Sequence, residues 1–200
     1  MNPKVFAVLS FCDIIQHREF VKSSLKSKLG AVFMNKKVLL LCQGAMIAAI
    51  YTVMTLFINA FGLANGAIQI RISEALCILP IFTPAAIPGL FVGCLLSNVI
   101  TGCAIYDIVF GSLATLAGAI GTYFLRKTKF LFTLPPVIAN GVIIPLVLKF
   151  AYHMEDAYWF LVVTVCAGEI ISVCILGMIF KAALWKERFF IFRNEDANVK

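Results

Sequence analysis

What this sequence lacks is catalytic and nucleotide-binding vocabulary. It has no GxxxxGK[ST] stretch, so it cannot hydrolyse ATP through a phosphate loop. HExxH and GxSxG are also missing, and the two histidines, His17 and His153, lie outside the apolar runs; intramembrane metalloprotease and serine hydrolase chemistry are therefore not expected. Seven cysteines form no CxxC pair and adjoin no histidine cluster, so they read as small packing residues rather than metal ligands or disulfide partners. No catalytic residue, metal or cofactor is expected.

Charge is the other scarcity. Only 14% of the 200 residues are charged and 62% are hydrophobic, with a mean hydropathy of +0.97, against about 25% and about 45–50% in ordinary soluble domains. No Asp, Glu, Lys or Arg occurs from Val38 to Ile70, Ala75 to Tyr106, Ile108 to Leu125 or Phe130 to Leu148. Runs near or above about 20 residues can cross hydrocarbon as helices, which satisfy their own backbone polar groups. An all-α integral membrane protein follows. The net charge of +7 collects before Val38, in "RKTK" (126 to 129) and from Lys181 onward; as flank charge it marks cytoplasmic segments of a multi-pass cell-membrane protein rather than a nucleic-acid surface.

Three parts are expected: residues 1–33, a transmembrane domain over 34–184, and a cytoplasmic tail over 185–200. "MNKKVLLL" from Met34 resembles a translation start, so residues 1–33 read either as an upstream extension or as a cytoplasmic amphipathic segment on the bilayer. Span one covers about Val38 to Phe61, span four Ile105 to Leu125, span five Leu134 to Tyr152 and span six Tyr158 to Phe180. Residues 67 to 101 are ambiguous by hydropathy, but charge parity settles their reading. If the amino terminus and "RKTK" both face the cytoplasm, this region crosses twice or not at all, and thirty-five residues permit two short helices. Pro84 and Pro88 then flank a tight turn in "FTPAAIP", and Pro80 bends the limb before it. Six transmembrane helices with both termini cytoplasmic result.

Polar residues stand out against this background. Asn59, Arg71, Ser73, Glu74, Asn98 and Asp107 fall in the outer half, and Glu169 lies near the middle of span six. A charge in hydrocarbon costs about 2.5–3.5 kcal/mol even on insertion scales, so such groups face a bundle interior or a wet cavity. For Glu169 the reading is functional, against a structural bond to a neighbouring helix. Arg71 and Glu74 either pair with each other or contact a ligand, Asp107 can serve simply as an N-terminal dipole partner, and Asn140 reads as interhelical glue. Small residues recur one turn apart at Ala45 and Ala49, at Gly89 and Gly93, and at Ala114, Ala117, Gly118 and Gly121. Such faces serve bundle packing or docking of another membrane protein.

"RISEALCILPIFTPAAIPGLFVGCLLSN" (71 to 98), "DIVFGSLATL" (107 to 116), "LPPVIANG" (134 to 141) and "GEIISVCILG" (168 to 177) resemble the motifs of the QueT family, S components of energy-coupling factor (ECF) transporters. The resemblance runs from about Val38 to Phe180 and implies the six-helix ECF S-component fold. It further implies capture of a queuosine precursor, the 7-deazaguanines preQ0 and preQ1, with energy supplied by a coupling transmembrane protein and two ATPase subunits. Ala45 and Ala49 would occupy the family's docking face for the coupling protein. For such a substrate a carboxylate accepts the adjacent N–H and amino group of a guanine-like edge. Glu169 or Glu74 is the expected acceptor, Asp107 and Arg71 add charge, Asn98 reads the O6 side, and Tyr51, Tyr158 or Trp159 stacks on the ring. A loop over about Gly62 to Gln69 would close the outer cavity. Alternatives are a self-sufficient proton-coupled secondary transporter of a small heterocycle, with Glu169 carrying the proton, an S component for a different vitamin, an integral-membrane enzyme, and a purely structural subunit.

Overall fold

The computed structural model describes residues 36–62, 71–128, 130–151 and 157–185. Expectations about residues 1–33, the start at Met34, the loop after Gly62 and the tail after Trp185 lie outside the described residues. The chain divides into two compact units, Met1–Leu39 and Leu40–Lys200; all packing below belongs to the second.

Among the described residues every regular element is helical. Helix α1 covers Lys36–Ala60 and is followed by a 3-10 segment, Ile72–Ile81. Helices α2 (Ala86–Ile100) and α3 (Ile105–Phe124) come next. A short 3-10 turn, Leu131–Thr133, leads into α4 (Leu134–Ala151). The last helix is continuous but changes register: α5 (Tyr158–Glu169), a π-helical stretch (Ile170–Leu176), then α6 (Gly177–Trp185). Among the described residues four stretches are long and apolar enough to cross a membrane, Lys37–Ala60, Ile105–Phe124, Leu131–Phe150 and Tyr158–Trp185, and two shorter apolar helices, Ile72–Ile81 and Ala86–Ile100, lie between the first two of them. The chain is a helical membrane protein, and a belt of large apolar side chains such as Leu41, Val53, Ile138, Val163 and Ile179 faces outward from it.

The two short elements come from the proline-rich region. Ile72–Ile81 contains Pro80, whose missing N–H weakens an α-helical ladder. A 3-10 helix rises about 2.0 Å per residue, so ten residues reach about 20 Å; fifteen α-helical residues reach about 22 Å. Between them the N–H groups of Phe82 and Thr83 both donate to the Leu79 carbonyl, at 2.9 and 3.2 Å. Pro88 falls in the first turn of α2, where its absent donor would have no partner anyway. The Thr83 hydroxyl donates to Gln43 Oε1 at 2.9 Å, which ties the turn to α1.

Small residues set the helix spacing. A Cβ added to Gly93 would come within 3.0 Å of the Ala48 Cα, and one on Gly89 within 3.2 Å of the Gly44 Cα, so α1 and α2 meet almost backbone to backbone. The inward face of α1 is thus Gly44 and Ala48, while Ala45 and Ala49 are exposed. On α3, Gly118 and Gly121 pack against Pro136 and Pro135 at the start of α4. The 3-10 segment is buried from Ser73 to Ile81 and packs against α2, α3, the π-helical stretch and α6. It forms the core with Ile47, Leu90 and Phe132, and Ile144, Leu148, Leu161 and Val165 form a second cluster between α4 and α5.

Candidate functional site

Residues three apart eclipse one another in a 3-10 helix, so Glu74 and Cys77 share one face of the segment, which Arg71 precedes. Glu74 is fully buried on that face. Its Oε1 accepts the hydroxyls of Tyr51 at 2.5 Å and Thr115 at 3.0 Å, and its Oε2 accepts the Cys77 thiol at 2.8 Å. Donors from α1, α3 and the 3-10 segment itself therefore fix both carboxylate oxygens. Nearby, the Thr55 hydroxyl donates to Ser73 Oγ at 2.9 Å.

The polar chain continues toward the starts of α3 and the 3-10 segment. Cys94 Sγ lies 3.5 Å from the Thr115 hydroxyl and 3.7 Å from Asn98 Nδ2. Asn98 Nδ2 also donates to the Asp107 carbonyl at 3.4 Å, and the Asp107 carboxylate faces the Arg71 guanidinium at 3.5 Å, with side chains 8% and 16% exposed. Gly111 makes room for this arrangement: a Cβ there would lie 3.0 Å from Asp107 Oδ1 and 3.3 Å from Asn98 Nδ2. The sequence left open a pairing of Arg71 with Glu74. The structure instead gives Arg71 to Asp107 and Glu74 to neutral donors.

Glu169 ends α5 and is 3% exposed. The Asn140 amide, on the adjacent helix α4, lies beside it. Glu169 Oε2, both amide atoms of Asn140 and the Ser172 hydroxyl are buried with no hydrogen-bond partner. Asn140 was expected to be interhelical glue, and it does face another helix.

Of the residues singled out in the sequence, Tyr51, Arg71, Glu74, Asn98 and Asp107 are joined by the contacts above, and Glu169 is buried on the last helix outside that chain of contacts. Trp159 is not brought in: it is 75% exposed and packs edge-on against Tyr158, with ring centroids 5.7 Å apart. Sequence reasoning missed Cys77, Cys94, Thr115 and Ser172. The spacing of three from Glu74 to Cys77 is a signal for the first once a 3-10 helix is considered. The others carry no mark that separates them from packing residues in an apolar run.

The fold defines a class first: an all-helical integral membrane protein whose interior holds carboxylates and an amide. The sequence pattern of the QueT transporter family matches residues 41–186, and the chain belongs to that family. No curated protein and no solved structure matches it.

Proposed function

We propose that the chain is the substrate-binding S component of an ECF transporter, and that it captures a queuosine precursor, preQ0 or preQ1, from outside the cell. In this reading the two shorter helices complete six membrane crossings, with both termini cytoplasmic. The observation that carries it is the burial of Glu74, Glu169, Asn98, Asp107 and Asn140, with Arg71 paired to Asp107, inside an otherwise apolar bundle. Buried ionisable groups in a membrane protein are costly and mark substrate or ion sites. A guanine-like edge supplies an N–H and an amino group that one carboxylate accepts together, and Glu169 or Glu74 takes that part. Tyr51 donates to Glu74, and Asn98 donates to the Asp107 carbonyl.

The family assignment and the missing phosphate loop support an external energy source, a coupling membrane protein with two ATPase subunits. The exposed pair Ala45 and Ala49 on α1 would be its docking face. Uptake of labelled preQ1 into proteoliposomes tests the reading. Accumulation is expected only when the ATPase module is co-reconstituted and ATP is present. Uptake by this chain alone, abolished by a protonophore, would replace the proposal with proton-coupled secondary transport.

A further inference from the structure

Buried polar atoms that make no hydrogen bond gather where α4 meets the last helix. Four such atoms lie there: Asn140 Nδ2 and Oδ1, Glu169 Oε2 and Ser172 Oγ. Asn140 projects from α4, which packs against both α5 and the π-helical stretch. Glu169 and Ser172 stand three residues apart across the junction where the helix changes to π register, a feature often found at functional sites. Three other buried hydroxyls bond to the carbonyl three or four residues back: Ser97 to Cys94 at 2.9 Å, Ser112 to Ile108 at 2.6 Å and Thr164 to Leu161 at 3.0 Å. Ser172 does not. Native interiors leave few such groups, and each needs a reason.

Glu74 presents the opposite case, since three donors from the protein already hold it. We propose that Asn140, Glu169 and Ser172 form the face that reads the ligand's hydrogen-bonding edge, whereas Glu74 belongs to the bundle's own network. This rests on the function proposed above and assigns its specificity. A ring that carries a carbonyl, a ring N–H and an amino group in sequence presents acceptor, donor, donor. Asn140 Nδ2 donates to the carbonyl, the Glu169 carboxylate accepts from the N–H and the amino group, and the Ser172 hydroxyl donates to the ring nitrogen that follows. Asn140 Nδ2, Glu169 Oε2 and the Ser172 hydroxyl each then gain a partner they lack within the protein.

The test pairs ligand analogues with variants of the full chain purified in detergent. Calorimetric titration uses preQ1, an analogue without the 2-amino group and an analogue without the 6-oxo group, against wild type, Glu169→Gln, Asn140→Leu, Asn140→Ala and Ser172→Ala. Glu169→Gln and the Asn140 variants are expected to weaken preQ1 binding about tenfold or more. Removing the 2-amino group is expected to weaken binding to wild type but no longer to Glu169→Gln. Removing the 6-oxo group is expected to do the same for wild type and Asn140→Leu. The ligand-free Tm of Asn140→Leu and Ser172→Ala is expected not to fall, because neither side chain makes a bond to lose. If wild type binds preQ1 and every variant discriminates the analogues as wild type does, the inference is overturned while the proposed function stands. If wild type binds no 7-deazaguanine, both fall.

Discussion

Glu74 and Glu169 are carboxylates sealed within one bundle, yet their surroundings differ in kind. Around Glu74, hydroxyls from α1 and α3 and a thiol from its own helix leave each oxygen with a donor. Around Glu169, an amide and a hydroxyl lie buried but bond to nothing in the protein, and neither does one carboxylate oxygen. Burial is the same; satisfaction is not. A fully bonded group contributes rigidity, and an incompletely bonded one stores interaction that a ligand can release. Under the proposed function, the first part of the polar interior shapes the bundle and the second recognises the substrate.

Substitutions break or sharpen that comparison by different amounts. The largest effect is expected from Glu74→Ala, which strands the Tyr51 and Thr115 hydroxyls and the Cys77 thiol in an apolar core. A loss of about 3 kcal/mol or more is expected by thermal unfolding in detergent, since each stranded donor costs about 1–3 kcal/mol. A loss under about 1 kcal/mol would erase the contrast. Thr115→Val keeps the volume and removes one of the three donors, with an expected cost of about 1 kcal/mol in the same assay. Asp107→Asn removes the charge opposite Arg71. Because the pair is largely buried and the amide oxygen can still accept from the guanidinium, a loss of about 0.5–1 kcal/mol is expected, and added salt should change it little. Trp159→Ala should leave preQ1 affinity within about twofold, because the ring points away from the polar interior; a tenfold loss would extend the site to the start of α5.

Apolar length made much of this fold readable in the sequence. The limits of α1, α3 and α4 follow from the charge-free runs, and the prolines at 84 and 88 mark the turn before α2. The 3-10 geometry of Ile72–Ile81 was not readable, because hydropathy does not distinguish helix registers in a segment buried on every side. That geometry decides which residues share a face, so the partner of Arg71 stayed open until α3 was seen beside it. The same limit hid the π stretch after Glu169, and with it Ser172. Carboxylates announce themselves in an apolar sequence because their burial is expensive. Threonine, serine and cysteine do not, and here they decide how each carboxylate is held. In α1 the small-residue spacing was plain, but only the packed structure shows that Gly44 and Ala48 face inward while Ala45 and Ala49 face out.

Mass spectrometry of the small molecules retained by the protein after detergent extraction from cells tests the central claim most directly. A 7-deazaguanine is expected with wild type and should be missing from Glu169→Gln purified in parallel. A wild-type preparation that carries no such compound when the cells contain it, or equal amounts in both preparations, would contradict the account.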